Sequence, residues 1–128
     1  MKFICLFLLA LLLAGCATAA DIRNKTPEFS TSTDKSPKNI ADCVMYRAPA
    51  EVSSAAAPYY HFSLSEQPPG TFHILAEIPG QPMGEVDFLP DDKGGTSIAL
   101  RSRWNFWAKN AFWACIVSCA APQNSPGK

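Results

Sequence analysis

Residues 59–80 read YYHFSLSEQPPGTFHILAEIPG, and this stretch decides the fold. Tyr60, Phe62 and Leu64 alternate with His61, Ser63 and Ser65. Past Gln67-Pro68-Pro69-Gly70, the residues Phe72, Ile74, Ala76 and Ile78 alternate with His73, Leu75 and Glu77. A period of two sends successive side chains to opposite faces, so each run is a half-buried strand and the proline–glycine segment is the turn between them. Matching the apolar faces sets Phe62 over Ala76 and Leu64 over Ile74, which leaves residues 67–71 as the hairpin loop. The same register sets His61 opposite Glu77 and His73 opposite Ser65 on the outward face.

Outward from the hairpin, residues 79–84 are expected to turn. Val86 and Phe88 mark a third strand, residues 90–95 (PDDKGG) a second dense turn, and Ile98 and Leu100 a fourth strand. Upstream, Ser36-Pro37 is a helix start, since the serine hydroxyl accepts an orphan N–H and proline lacks one. Ile40, Cys43, Val44 and Arg47 come next at helical spacing, and Pro49 is expected to end that helix near residue 47. Downstream, residues 104–119 are expected to form one helix, with Trp104, Ala108, Ala111, Cys115 and Cys119 on the face toward the sheet. The expected architecture is α+β, a four-stranded antiparallel sheet packed on N- and C-terminal helices in the order α-β-β-β-β-α. The domain spans 36–119 and a disordered tail spans 120–128. Eleven prolines, all beyond residue 26, exclude a helical bundle.

The chain of 128 residues carries 11 basic and 11 acidic residues. A field that weak draws neither nucleic acid nor an anionic membrane surface to the domain, and no nucleic acid is expected as a partner. Lys2 precedes twelve uninterrupted apolar residues, 3–14. As a helix these reach roughly 18 Å, short of a hydrocarbon core of roughly 30 Å, so they form a signal peptide rather than a span.

The apolar run ends in Leu13-Ala14-Gly15-Cys16, which resembles the lipobox of bacterial lipoproteins. The resemblance implies that residues 1–15 are removed, that Cys16 becomes the first residue and receives a diacylglyceryl group, and that the lipid anchors the chain to a membrane. Alanine rather than aspartate at residue 17 implies the outer membrane, with the domain facing the periplasm. Residues 16–35, polar and without apolar periodicity, are expected to be a lipidated flexible tether. Ordinary secretion is the alternative, because Ala17-Thr18-Ala19 also meets the small-x-small rule and would release a product starting at Ala20.

With Cys16 taken by lipid and Cys5 discarded, Cys43, Cys115 and Cys119 remain in a compartment where disulfides persist. Cys115 and Cys119 stack one turn apart on a helix, without the geometry of a bridge, so Cys43 is expected to pair with one of them. Cys119 is favoured because a helix end adjusts more freely; Cys115 is the other choice. Residues 36–44 (SPKNIADCV), with the glycine-punctuated β region and Ile116-Val117-Ser118-Cys119, resemble small uncharacterised proteobacterial envelope lipoproteins. That resemblance supports the same fold and the same pairing, and brings no activity.

Candidate chemistry is sparse. His61 opposite Glu77 is half of a dyad without an identified nucleophile. Glu85 and Asp87 share a strand face and read as solvated. Cys115 lies in an apolar stripe where burial raises a thiol pKa. The cysteines lack metal-ligand spacing, residues 91–95 lack the ligand pattern of an EF-hand, and no glycine fingerprint for a nucleotide occurs, so no catalytic residue, metal or cofactor is expected. The aromatics Trp104, Phe106, Trp107, Phe112 and Trp113 exceed what one buried face needs. Phe106, Trp113 and Val117 share the face away from the sheet and form the candidate patch for a partner in the envelope or for the lipid interface. The expected role is a non-enzymatic interaction or envelope-maintenance lipoprotein. The alternatives are a small-ligand domain using the space between sheet and C-terminal helix, and a small hydrolase using His61.

Overall fold

The computed structural model describes residues 19–55 and 60–122. The signal segment, Cys16 and residues 123–128 of the tail lie outside the described residues. The elements are α1 (Ala19–Arg23), β1 (Phe29–Thr33), α2 (Pro37–Ala55), β2 (His61–Glu66), β3 (Phe72–Ile78), β4 (Gln81–Pro90), β5 (Thr96–Ser102) and α3 (Lys109–Ala120). All strands pair antiparallel in one sheet of order β1-β5-β4-β3-β2. The class is α+β, with five strands rather than the four expected.

The hairpin register is the one the alternation requires, with Phe62 beside Ala76, Leu64 beside Ile74 and His61 beside Glu77. The loop closes through Gln67 N–H to Thr71 O, with Gly70 at φ 86°. β3 and β4 are joined by a two-residue turn, Pro79-Gly80, in place of the longer turn expected over 79–84. Pro82 is tolerated because β5 pairs with β4 only from Gly84 onward, so the missing N–H falls where no neighbour needs it. Gly95 is obligatory at the next turn, since a Cβ there would run into the Thr33 carbonyl.

One face of the sheet is the core. Ile74, Ala76, Val86, Phe88, Ile98 and Leu100 meet Ile40, Val44, Ala48 and Val52 of α2 and Phe112, Cys115, Ile116 and Cys119 of α3. Ser36 caps α2 as its sequence requires, accepting from Asn39 N–H. The helix does not stop at Pro49 but continues to Ala55. Pro49 is exposed, so its ring meets solvent, and burial of Ala48 and Val52 on either side outweighs the one hydrogen bond it removes.

The segment expected to be tether is structured from residue 19 onward. β1 forms a full ladder with β5, from Phe29 opposite Leu100 to Thr33 opposite Thr96. Beyond it, Thr33 Oγ1 donates to Ala120 O and Lys35 Nζ to Cys119 O, which satisfies terminal carbonyls of α3. In α1, Ile22 is fully buried although it belongs to no part of the main core.

Cys43 and Cys119 are disulfide-bonded, with Cα atoms 5.9 Å apart, and tie α2 to α3. Cys115 is free and buried. Burial, with the Glu51 carboxylate beside it, pushes its thiol up to about 12.

Candidate functional site

The densest set of chemical groups lies on the sheet face opposite the core. Because β3, β4 and β5 alternate, burial of Ile74, Val86 and Leu100 on one side sends His73, Glu85, Asp87 and Arg101 to the other. The register then sets His73 beside Asp87 and Glu85 beside Arg101. α1 packs over β4 and β5 and brings Arg23 to Glu85.

All four carboxylate oxygens and both ring nitrogens of this set are engaged. Arg23 Nε donates to Glu85 Oε1 at 2.9 Å and Arg23 Nη2 to Oε2 at 3.0 Å. Arg101 Nη1 donates to Asp87 Oδ2 at 2.6 Å, and His73 Nδ1 lies 2.6 Å from Asp87 Oδ1. His73 Nε2 lies 2.8 Å from Gln67 O. A carboxylate and a carbonyl only accept, so this geometry favours the imidazolium, in which both ring nitrogens donate. Burial opposes that charge. The hydrogen bonds to Asp87 and Gln67 O, and the negative charges of Asp87 and Glu85, outweigh it and raise the His73 pKa.

Glu85 is therefore not a solvated strand residue. It is 2 % exposed and lies under α1. The alternation marks which face it takes, and the packing of residues 19–23 over β4 and β5 covers that face at Glu85.

His73, Glu85 and Asp87 also bring one potential metal ligand each within 4.8 Å of one another. The donor set does not suit a divalent cation. Two guanidinium groups already balance the two carboxylates, and both ring nitrogens of His73 are engaged, Nδ1 by Asp87 and Nε2 by Gln67 O. Chemically the cluster is a clamp: it has no open position, no free base and no nucleophile within it.

A raised histidine pKa makes a prediction with a definite sign. The stabilisation from His73 is fully present below the ordinary histidine range, where the unfolded chain is protonated too, and is lost as pH rises through the raised folded value. Melting curves of wild type and His73→Gln should show the wild-type advantage shrinking as pH rises from about 5 to about 9, with His61 common to both proteins. An advantage that does not change with pH would show that the ring is neutral in the folded state.

The other candidates fare differently. His61 is exposed on edge strand β2 and, with Tyr60, Glu77 and Ile78, lines a depression of about 440 Å³ at the sheet margin. The space between sheet and α3, the expected ligand cavity of the alternative reading, is filled by rings. Centroid separations there are 5.4 Å for Phe62–Phe112, 6.2 Å for Phe106–Phe112 and 5.2 Å for Tyr60–Phe106.

Phe106, Trp113 and Val117 do not form a surface patch. Phe106 is 1 % exposed and belongs to the core, and Trp113 is partly buried against it and stacks on Phe29 at 5.3 Å. Only Val117 faces solvent. The reason is that α3 begins at Lys109, not at residue 104. Phe106 N–H donates to Arg103 O and Lys109 N–H to Phe106 O, a turn whose phase differs from that of the helix after it. The tryptophans turned outward are Trp104 and Trp107, 79 % and 78 % exposed, on either side of the buried Phe106.

No helix among the described residues is long and apolar enough to cross a membrane. Comparison with protein-family models, with curated proteins and with solved structures finds no match to this chain.

Proposed function

We propose that this chain is a lipid-anchored protein of the bacterial cell envelope, held at the outer membrane through Cys16 and facing the periplasm, with a non-enzymatic interaction or envelope-maintenance role. The observation that carries the reading is how the five cysteines are used. Cys5 falls in the apolar signal segment and Cys16 ends Leu13-Ala14-Gly15-Cys16. Cys43 and Cys119 form the bridge, and Cys115 is buried. A disulfide joining the two main helices suits an exported domain, because reducing compartments do not sustain such bonds. The non-enzymatic part is supported by the state of the titratable groups. His73 and Asp87 are saturated by partners, Glu85 is sealed under Arg23, and the Cys115 thiol is pushed far above neutrality, where it supplies no nucleophile.

The test is Cys16→Ser in a bacterial host fed labelled fatty acid. The variant should carry no label and accumulate as uncleaved precursor, while wild type is labelled and processed. Normal processing of the variant to a product starting at Ala20 would replace lipid anchoring with ordinary secretion.

A further inference from the structure

We propose that Trp104 and Trp107 form the membrane-seated surface of this domain, inserted at the headgroup–acyl boundary of the bilayer that holds the Cys16 lipid. The inference rests on the lipidation proposed above and adds an orientation to it. α1 begins at Ala19, three residues after Cys16. Three residues span at most roughly 11 Å. A helix fixed that close to the anchor cannot swing freely, and α1 is fixed to the sheet by buried Ile22 and by the Arg23–Glu85 pair.

From α1 the chain runs directly to the tryptophans' end of the sheet. Lys25 Nζ donates to Ser102 O, Arg101 Nε donates to Lys25 O, and Ser102 Oγ donates to Glu28. Residues 25–28 thus lie along the end of β5, two residues before Trp104. The same end carries Arg103, and Lys109, which pairs with Glu28. Glu28 and, where β3 ends beside Pro82 and Gly84, Glu77 are acidic groups of the same end, so its charge is mixed in sign. Two indoles open to solvent on one short turn are the side chains that a bilayer interface favours: the amphipathic rings sit at the headgroup level with their apolar bodies toward the acyl chains. Neither tryptophan is needed for the core, which takes Phe106 from between them.

The test uses the full mature protein reconstituted in phosphatidylethanolamine–phosphatidylglycerol vesicles with brominated acyl chains, as three single-tryptophan variants. Trp107→Phe with Trp113→Phe leaves Trp104, Trp104→Phe with Trp113→Phe leaves Trp107, and Trp104→Phe with Trp107→Phe leaves Trp113. Emission from Trp104 and from Trp107 should shift to the blue and fall by roughly half or more on brominated lipid, while Trp113, covered by Phe29, changes little. The intact mass of each sample reports the lipid on Cys16. Full lipidation without quenching of Trp104 and Trp107 overturns this orientation and leaves the anchor standing; a mass without lipid overturns both. A blue shift that grows with protein concentration in the absence of vesicles assigns the tryptophans to a second copy of the chain and overturns the proposal.

Discussion

Replacing Cys43 and Cys119 together by alanine should cost the domain about 4 kcal/mol of stability in the chain-entropy account, a large share of a total of roughly 5–15 kcal/mol. The bridge closes a loop with a sequence separation of 76, which holds most of α2, strands β2–β5 and most of α3. Few covalent links restrict the unfolded chain so widely. α2 and α3 pack on each other as well as on the sheet, so the helices should still dock in the variant, at reduced stability. Denaturant unfolding of wild type, of wild type under reductant and of the double variant checks this. The two reduced forms should agree with each other and fall well below the oxidised protein. Peptide mapping of the unreduced protein should recover Cys43 linked to Cys119 with Cys115 free; a loss under about 1 kcal/mol would show that the crosslink stabilises little.

The second large effect is expected at Phe106. Truncation to alanine removes a fully buried ring that touches both Tyr60 and Phe112, and should cost roughly 3–5 kcal/mol through lost burial and the cavity left behind. Trp113→Ser should cost less, about 2 kcal/mol, because Trp113 is only partly buried and its stacking on Phe29 joins α3 to edge strand β1. Trp104→Ser should stay within about 0.5 kcal/mol, as exposed substitutions do. Thermal unfolding of the three variants gives the order directly. A Phe106→Ala protein as stable as wild type would return that residue to the surface and undo the inward turn at residues 103–108.

The two halves of the chain were unequally legible. The hairpin of residues 61–78 could be registered residue by residue, because each strand has one buried face and a slip by one would send every apolar side chain to water. The helix start at Ser36-Pro37 was equally plain, since the cap is a local hydrogen bond. β1 left no such trace. Its sequence, FSTST, has one apolar residue, and as an edge strand it is held by the ladder to β5 rather than by a buried face. α1 left even less: five residues, with Ile22 alone buried against the far side of the sheet.

The clamp around Glu85 was half legible for the same reason. Alternation gave Glu85 and Asp87 a shared face. The partners Arg23 and Arg101 come from other elements, one of them from a segment without a sequence signal of structure.

By itself, then, the sequence determined what depends on near neighbours: the alternation that makes strands, the cap that begins α2, the punctuated turns, the cysteine parity that calls for one bridge, and the apolar segment ending at Cys16. Tertiary structure decided what depends on residues brought together from far apart. It added the fifth strand, carried α2 through Pro49, turned Phe106 inward with Trp104 and Trp107 outward, and took Glu85 out of water beneath Arg23. Periodicity records which side of an element is buried, but not what buries it, and a residue whose burial comes from a distant segment carries no mark of it in its own neighbourhood.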